Sequence, residues 1–151
     1  MQKASARLVK MKGSKIPYSW KPELTTYEQM CEDYNATPEE FMVVYADDEP
    51  IAAAIIQVGD KTEWAQWPTK KHAIYGYRFA GNPDSPIEKT KLLFPALKQY
   101  AKQVKTEAVR IDIAEFEHAK LRLYKSQGFK QVGICGDGVA PEKYILLECD
   151  I

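Results

Sequence analysis

Near the end of the chain the sequence runs Leu123-Tyr124-Lys125-Ser126-Gln127-Gly128-Phe129, followed by Val132-Gly133. This spacing predicts a helix that stops at Gly128 and turns straight into an apolar strand. Glycine suits such a stop because it accepts the left-handed conformation that closes a helix. A helix joined to a strand with no linker has little freedom in how the two pack. No other stretch of the chain constrains the fold as much.

The neighbouring segments extend the pattern. Ala108 to Ala114 alternates, with Val109, Ile111 and Ile113 one way and Arg110 and Asp112 the other, as in a strand with one face more buried. Phe116 to Gln127 reads as the helix, Phe129 to Ile134 as the strand after it, and Tyr144 to Cys149 as a last strand. Upstream, Phe41 to Ala46 and Ile51 to Val58 flank the turn Asp47-Asp48-Glu49-Pro50 and predict a hairpin. Ala73 to Ala80 is a strand whose alternating Tyr75, Tyr77 and Phe79 make one face aromatic. A helix from about Pro86 to Val104 follows. Pro95 lies inside it and predicts either a kink or a fresh start there, with the earlier turn separate.

The first 40 residues carry weaker signals. Ala6 to Met11 is a possible edge strand, and Lys12 to Glu23 reads as loop. Thr25-Thr26-Tyr27-Glu28 has the capping-box pattern and predicts a helix to about Tyr34. Thr37-Pro38-Glu39-Glu40 repeats that signal with room for a single turn. The element order is that of a mixed α/β fold whose sheet is both parallel and antiparallel.

Composition narrows the function classes. A chain of 151 residues, 45% hydrophobic and 28% charged, suits one domain over 1–151, with an N-terminal region 1–40 and a core 41–151. Its formal net charge of zero gives no global pull toward nucleic acid or anionic membrane. No apolar run reaches membrane-spanning length, and the basic stretch from Met1 to Gly13 has no signal-peptide core, so a cytoplasmic location is expected. Cys31, Cys135 and Cys149 are widely spaced and read as reduced thiols. With only His72 and His118 besides, no metal site is expected.

The Leu123-Tyr124 pair, the three residues to Gly128-Phe129 and the element order resemble the GCN5-related N-acetyltransferase (GNAT) superfamily, from about Phe41 to Cys149. The resemblance implies a mixed, twisted sheet with helices on both faces. It implies that Ala73 to Ala80 and Ala108 to Ala114 are neighbouring parallel strands that splay apart, with the arm of acetyl-CoA in the gap. The family's residues there would correspond to Phe79, Ala80 and Gly81. Tyr124 falls where the family often keeps a tyrosine facing the coenzyme's sulfur. It would donate a proton to the departing thiolate, or simply pack its ring on the sheet. Glu63, Glu115 and Glu117 lie in roughly the right places for a base, with Glu63 the catalytic candidate and Glu117 placed near the coenzyme.

The chain also departs from the family. The pyrophosphate signature Gln/Arg-x-x-Gly-x-Gly/Ala falls on Ser85-Pro86-Ile87-Glu88-Lys89-Thr90, so Ser85, Lys89 and Thr90 are the coenzyme-binding candidates. Read by themselves, Ser85 and Glu88 form a capping box. Pro86 supplies no N–H, and Glu88 would repel a bound anion. Asn-x-x-Ala-x-x-Leu-Tyr is reduced here to Glu117, Lys120, Leu123 and Tyr124. The expectation is N-acetyl transfer from acetyl-CoA to a primary amine of a small molecule or peptide, in a protein able to form a homodimer. The alternative is a catalytically inactive domain of the same fold acting as a binding module. Trp64 and Trp67 would wall a substrate pocket, form a contact patch or pack on the sheet.

Overall fold

The hairpin forms as the sequence requires. In the computed structural model, which describes residues 1–6, 17–61, 67–136, 138 and 140–151, β1 (Phe41–Ala46) pairs antiparallel with β2 (Glu49–Val58). The two-residue loop between them, Asp47-Asp48, has φ of 53° and 62°. Both positions need positive φ in the tight turn that matches strand twist, and aspartate tolerates it better than most residues.

β3 (Ala73–Gly81) pairs antiparallel with β2, and β4 (Ala108–Ala114) pairs parallel with β3. β6 (Tyr144–Asp150) then runs between β4 and β5 (Lys130–Cys135), antiparallel to both. The sheet order is therefore β1-β2-β3-β4-β6-β5. The parallel β3–β4 pair needs a long crossover, supplied by α2 (Ile87–Thr90) and α3 (Leu93–Gln103).

The two faces of the sheet are covered by different elements. On one, α3 sets Leu93, Phe94, Leu97 and Ala101 against Val109, Ile111 and Leu147, and α4 (His118–Ser126) adds Tyr124. Full burial of each large aliphatic side chain here stabilises the fold by about 1.5–3 kcal/mol. On the other face, α1 (Tyr27–Tyr34) sets Met30 against Ile55, Tyr75 and Tyr77. The stop of α4 is as expected: Gly128 has φ of 94°, and the Phe129 N–H donates back to the Tyr124 carbonyl at 3.2 Å. No helix among the described residues is long and apolar enough to cross a membrane.

Three local expectations are corrected, and the one at Pro95 is met. Residues 2–6 are helical, so Ala6 does not begin an edge strand, and residues 7–11 lie outside the described residues. The cap of α1 is Thr26, whose hydroxyl accepts from the Gln29 N–H at 3.2 Å, because the Thr25 hydroxyl is taken by the Pro22 carbonyl at 2.9 Å. The Pro86-to-Val104 segment is two helices, the fresh start near Pro95 with a separate earlier turn that the sequence allowed. Pro95 cannot donate to a preceding turn, so the long helix starts at Leu93 and the Ile87–Thr90 turn stands apart. The capping box at Ser85 does not form: the turn's flanking residue is Pro86, with φ −58° and ψ 144°, and no side chain caps it.

Candidate functional site

β3 and β4 pair only where residues 73–76 face 108–111. Beyond that the strands part, and residues 77–81 and 112–114 have no ladder partner across the gap. The cause lies in β3. Tyr77 pairs with Ile55 and Ala80 with Ala53, so Arg78 and Phe79 together oppose the single residue Ala54. This is a β-bulge, with Arg78 at φ 56°, and a bulge bends and twists its strand.

The bulge also overturns the expected alternation of aromatics. Tyr75 and Tyr77 pack with Met30 on the α1 face, whereas Phe79 is carried to the opposite face. There its ring meets Tyr124 edge-on at 6.2 Å. Phe79 also covers Gly76 so closely that a Cβ on that glycine would lie 2.3 Å from the ring's Cζ. Only glycine permits the ring at the vertex of the gap.

Two neighbouring spaces open where the strands part. A cavity of about 40 Å³ runs between them. Tyr34, Tyr77, Arg78 and Asp112 line it, together with Phe79, Glu117, Lys120 and Tyr124. A larger groove of about 410 Å³ adjoins it at the end of β3 and shares Trp20, Phe79 and Lys120 as walls. Ala80, Gly81, Ser85 and Thr90 line the groove.

The structure thus gathers most of the coenzyme-site candidates: Phe79, Ala80, Gly81, Ser85 and Thr90 at the groove, and Tyr124 and Glu117 at the cavity. Lys89 is elsewhere, its ammonium bound to Asp47 at 2.8 Å. Glu88 points out, 74% exposed and 3.8 Å from Lys91. The carboxylate therefore does not line the groove as the sequence suggested. Thr90 turns its hydroxyl to the Ile87 carbonyl at 2.8 Å and its methyl toward Gly81. Glu115 is exposed and accepts from the Lys143 N–H. Glu63 and Trp64 lie outside the described residues, and Trp67 packs edge-on against Tyr75 at 5.6 Å.

Tyr124 is buried among Phe94, Phe129 and Phe79, so its ring belongs to the core while it also walls the cavity. Burial, and secondarily the carboxylates of Glu117 and Asp112, push its hydroxyl well above the ordinary tyrosine range. It holds its proton at any physiological pH, fit to donate to a strong base and unfit to accept. Glu117 is buried and accepts from the Lys120 ammonium at 2.8 Å.

Arg78, Tyr34 and Asp112 were not singled out by sequence. Arg78 is only 7% exposed. Its Nε donates to the Tyr34 hydroxyl at 3.0 Å, its Nη2 lies 3.5 Å from Asp33, and its Nη1 is buried with no hydrogen-bond partner. Burial pushes the Tyr34 hydroxyl up to about 12, partly countered by the neighbouring guanidinium. The available signal was a charge inside the otherwise apolar run Tyr75-Gly76-Tyr77-Arg78-Phe79. Among the described residues no group of three metal-ligating side chains assembles.

No family model matches the sequence, and no curated protein matches it. Solved structures do. The chain superposes on a GNAT-family acetyltransferase from Listeria monocytogenes with a TM-score of 0.71 and 17% identity, over 99% of this chain and 85% of that one. The ribosomal-protein-S18-alanine N-acetyltransferase from Escherichia coli gives 0.60 and 16%, over 97% and 86%. A Bacillus subtilis acetyltransferase in complex with CoA gives 0.60 and 15%, over 83% and 84%. The parted strand pair, the element order and these likenesses show that the chain has the fold of the GCN5-related N-acetyltransferases.

Proposed function

We propose that this protein transfers an acetyl group from acetyl-CoA to a primary amine of a small molecule or peptide. The observation that carries this reading is the parting of β3 and β4 beside a buried tyrosine hydroxyl. The gap-facing edges of residues 77–81 and 112–114, which do not pair with each other, can bond an extended ligand as an added strand would. The groove of about 410 Å³ continues that track past Gly81. Likeness to a CoA-bound acetyltransferase and to one acting on a ribosomal protein's alanine supports the donor and the acceptor class.

The fit to the coenzyme is uneven. The strand edges and groove suit a narrow, extended arm. The phosphate end has a short turn of four residues in place of a glycine cradle, with Pro86 lacking an N–H. Two of the obstacles read from the sequence are absent: Glu88 faces away, and Ser85 does not use the turn's N–H groups for a cap. Asn82, Ser85, Thr90 and Lys120 bring polar side chains to the groove.

In the proposed step the amine nitrogen forms a bond to the acetyl carbon as the carbon–sulfur bond breaks. Tyr124 gives its proton to the departing sulfur. Asp112 or Glu117, both at the cavity, takes the proton from the amine. The test is free-thiol release from acetyl-CoA with a panel of amines. Tyr124→Phe keeps the ring in its aromatic cluster and is expected to lower the rate about 10²-fold or more, the usual worth of a positioned acid. An unchanged rate removes Tyr124 from the chemistry, and no release with any amine favours a binding module.

A further inference from the structure

Arg78 is an under-compensated buried cation. It is held in a left-handed conformation at a bulge, so the backbone is strained to aim it. Its neighbours are a neutral hydroxyl at 3.0 Å and the partly exposed Asp33 at 3.5 Å. Nη1 has no hydrogen-bond partner, and the residue lines the cavity of about 40 Å³ between β3 and β4. A buried guanidinium donor without an acceptor is costly, and a carboxylate is its best geometric match. The same cavity is also lined by carboxylates, Asp112 and Glu117, the latter engaged by Lys120. A simple anion would meet those acids as well as Arg78. A zwitterion answers both signs of charge at once.

We infer that the acceptor is a free amino acid, its carboxylate held by Arg78 and its amine drawn toward Asp112, Glu117 and the Tyr124 hydroxyl. Tyr34 is the positioning residue: its hydroxyl fixes Nε, and its ring lies under the guanidinium at 5.3 Å. A cavity of about 40 Å³ must take both the carboxylate and the amine next to it, so the side chain of the amino acid must extend away from it. This inference rests on the acyl-transfer reading for the fate of the amine, but not for the binding of the carboxylate.

The test compares each free amino acid with its own primary amide, which keeps the amine and side chain and removes only the charge. Calorimetry, with and without CoA, reads binding; thiol release from acetyl-CoA reads transfer. At least one acid should bind saturably at millimolar concentration or below, and about ten- to hundred-fold more tightly than its amide, the worth of a charge-assisted bond. Arg78→Gln should abolish that difference, Arg78→Lys should keep part of it, and Tyr34→Phe should narrow it. Thermal melts establish that each variant is folded, and the wild-type comparison of acid with amide needs no variant. The inference is overturned if no amino acid binds, if acid and amide bind alike, or if folded Arg78→Gln keeps the preference. Preferential acid binding without thiol release would sink the transfer reading and leave this one standing. Equal transfer to acid and amide would do the reverse.

Discussion

The two halves of the β3–β4 pair each bury an arginine on the same face of the sheet, and they treat it differently. In the laddered half Arg110 stands opposite Tyr75 and is 3% exposed. Its Nε bonds Glu148 at 2.9 Å, its Nη1 the Tyr75 hydroxyl and its Nη2 the Thr69 carbonyl at 2.7 Å, and its guanidinium lies over Trp67 at 5.3 Å. In the parted half Arg78 also lies over an aromatic ring, but one of its nitrogens has no partner. Where strands are paired the buried charge is closed off as structure. Where they part, donor capacity is left for something else. The charge, the burial and the aromatic neighbour are common to both sites, so the difference comes from the backbone.

The largest expected effect is on the closed side. Glu148→Ala leaves Arg110 buried without its counter-charge and should cost about 3–5 kcal/mol in a denaturant melt. A cost below about 1 kcal/mol would show that the Arg110 network is not what holds this half together. The same pair gives a pH signature. Burial alone would raise the Glu148 carboxyl, but hydrogen bonds from Thr69, Arg110 and Lys71 outweigh it and hold the group below its ordinary 4.5. A carboxyl depressed on folding stabilises above its unfolded value. That contribution should therefore be present above about pH 4.5 and fade as the pH falls through the lower folded value. Glu148→Gln should flatten this acid limb of the stability curve, and an unchanged limb would assign it to other carboxylates.

The smaller effect is on the open side. Arg78→Gln loses the bonds to Tyr34 and Asp33 but also removes a poorly compensated charge, so its stability cost should be about 1 kcal/mol or less without ligand. A cost equal to that of Glu148→Ala would break the comparison and make Arg78 a structural residue like Arg110.

The legibility of the chain follows the same division. Periodicity alone marks Ala108–Ala114 as a strand, and Gly128 stops α4 where its sequence says, because burial and a positive φ decide those elements locally. The place of Tyr124 beside the cavity was implied by the resemblance to the acetyltransferases, not by periodicity. The bulge at Arg78 was legible by neither route. It shows only as two residues facing one on the neighbouring β2, which no single-strand pattern contains. Strict alternation therefore put Phe79 on the wrong face and passed over Arg78. Ser85 and Glu88 illustrate the opposite error. The capping pattern is present, but the extended backbone of Pro86 starts the turn a residue later and leaves Glu88 in solvent.

The most direct test of the account is amide hydrogen exchange along β3 and β4 with and without saturating CoA. Exchange should slow at residues 77–81 and 112–114, where the strands lack each other, and change little at 73–76 and 108–111, where they are already laddered. Protection absent from the parted half, or spread evenly over both halves, would contradict the claim that the opening between these strands is where the ligand binds.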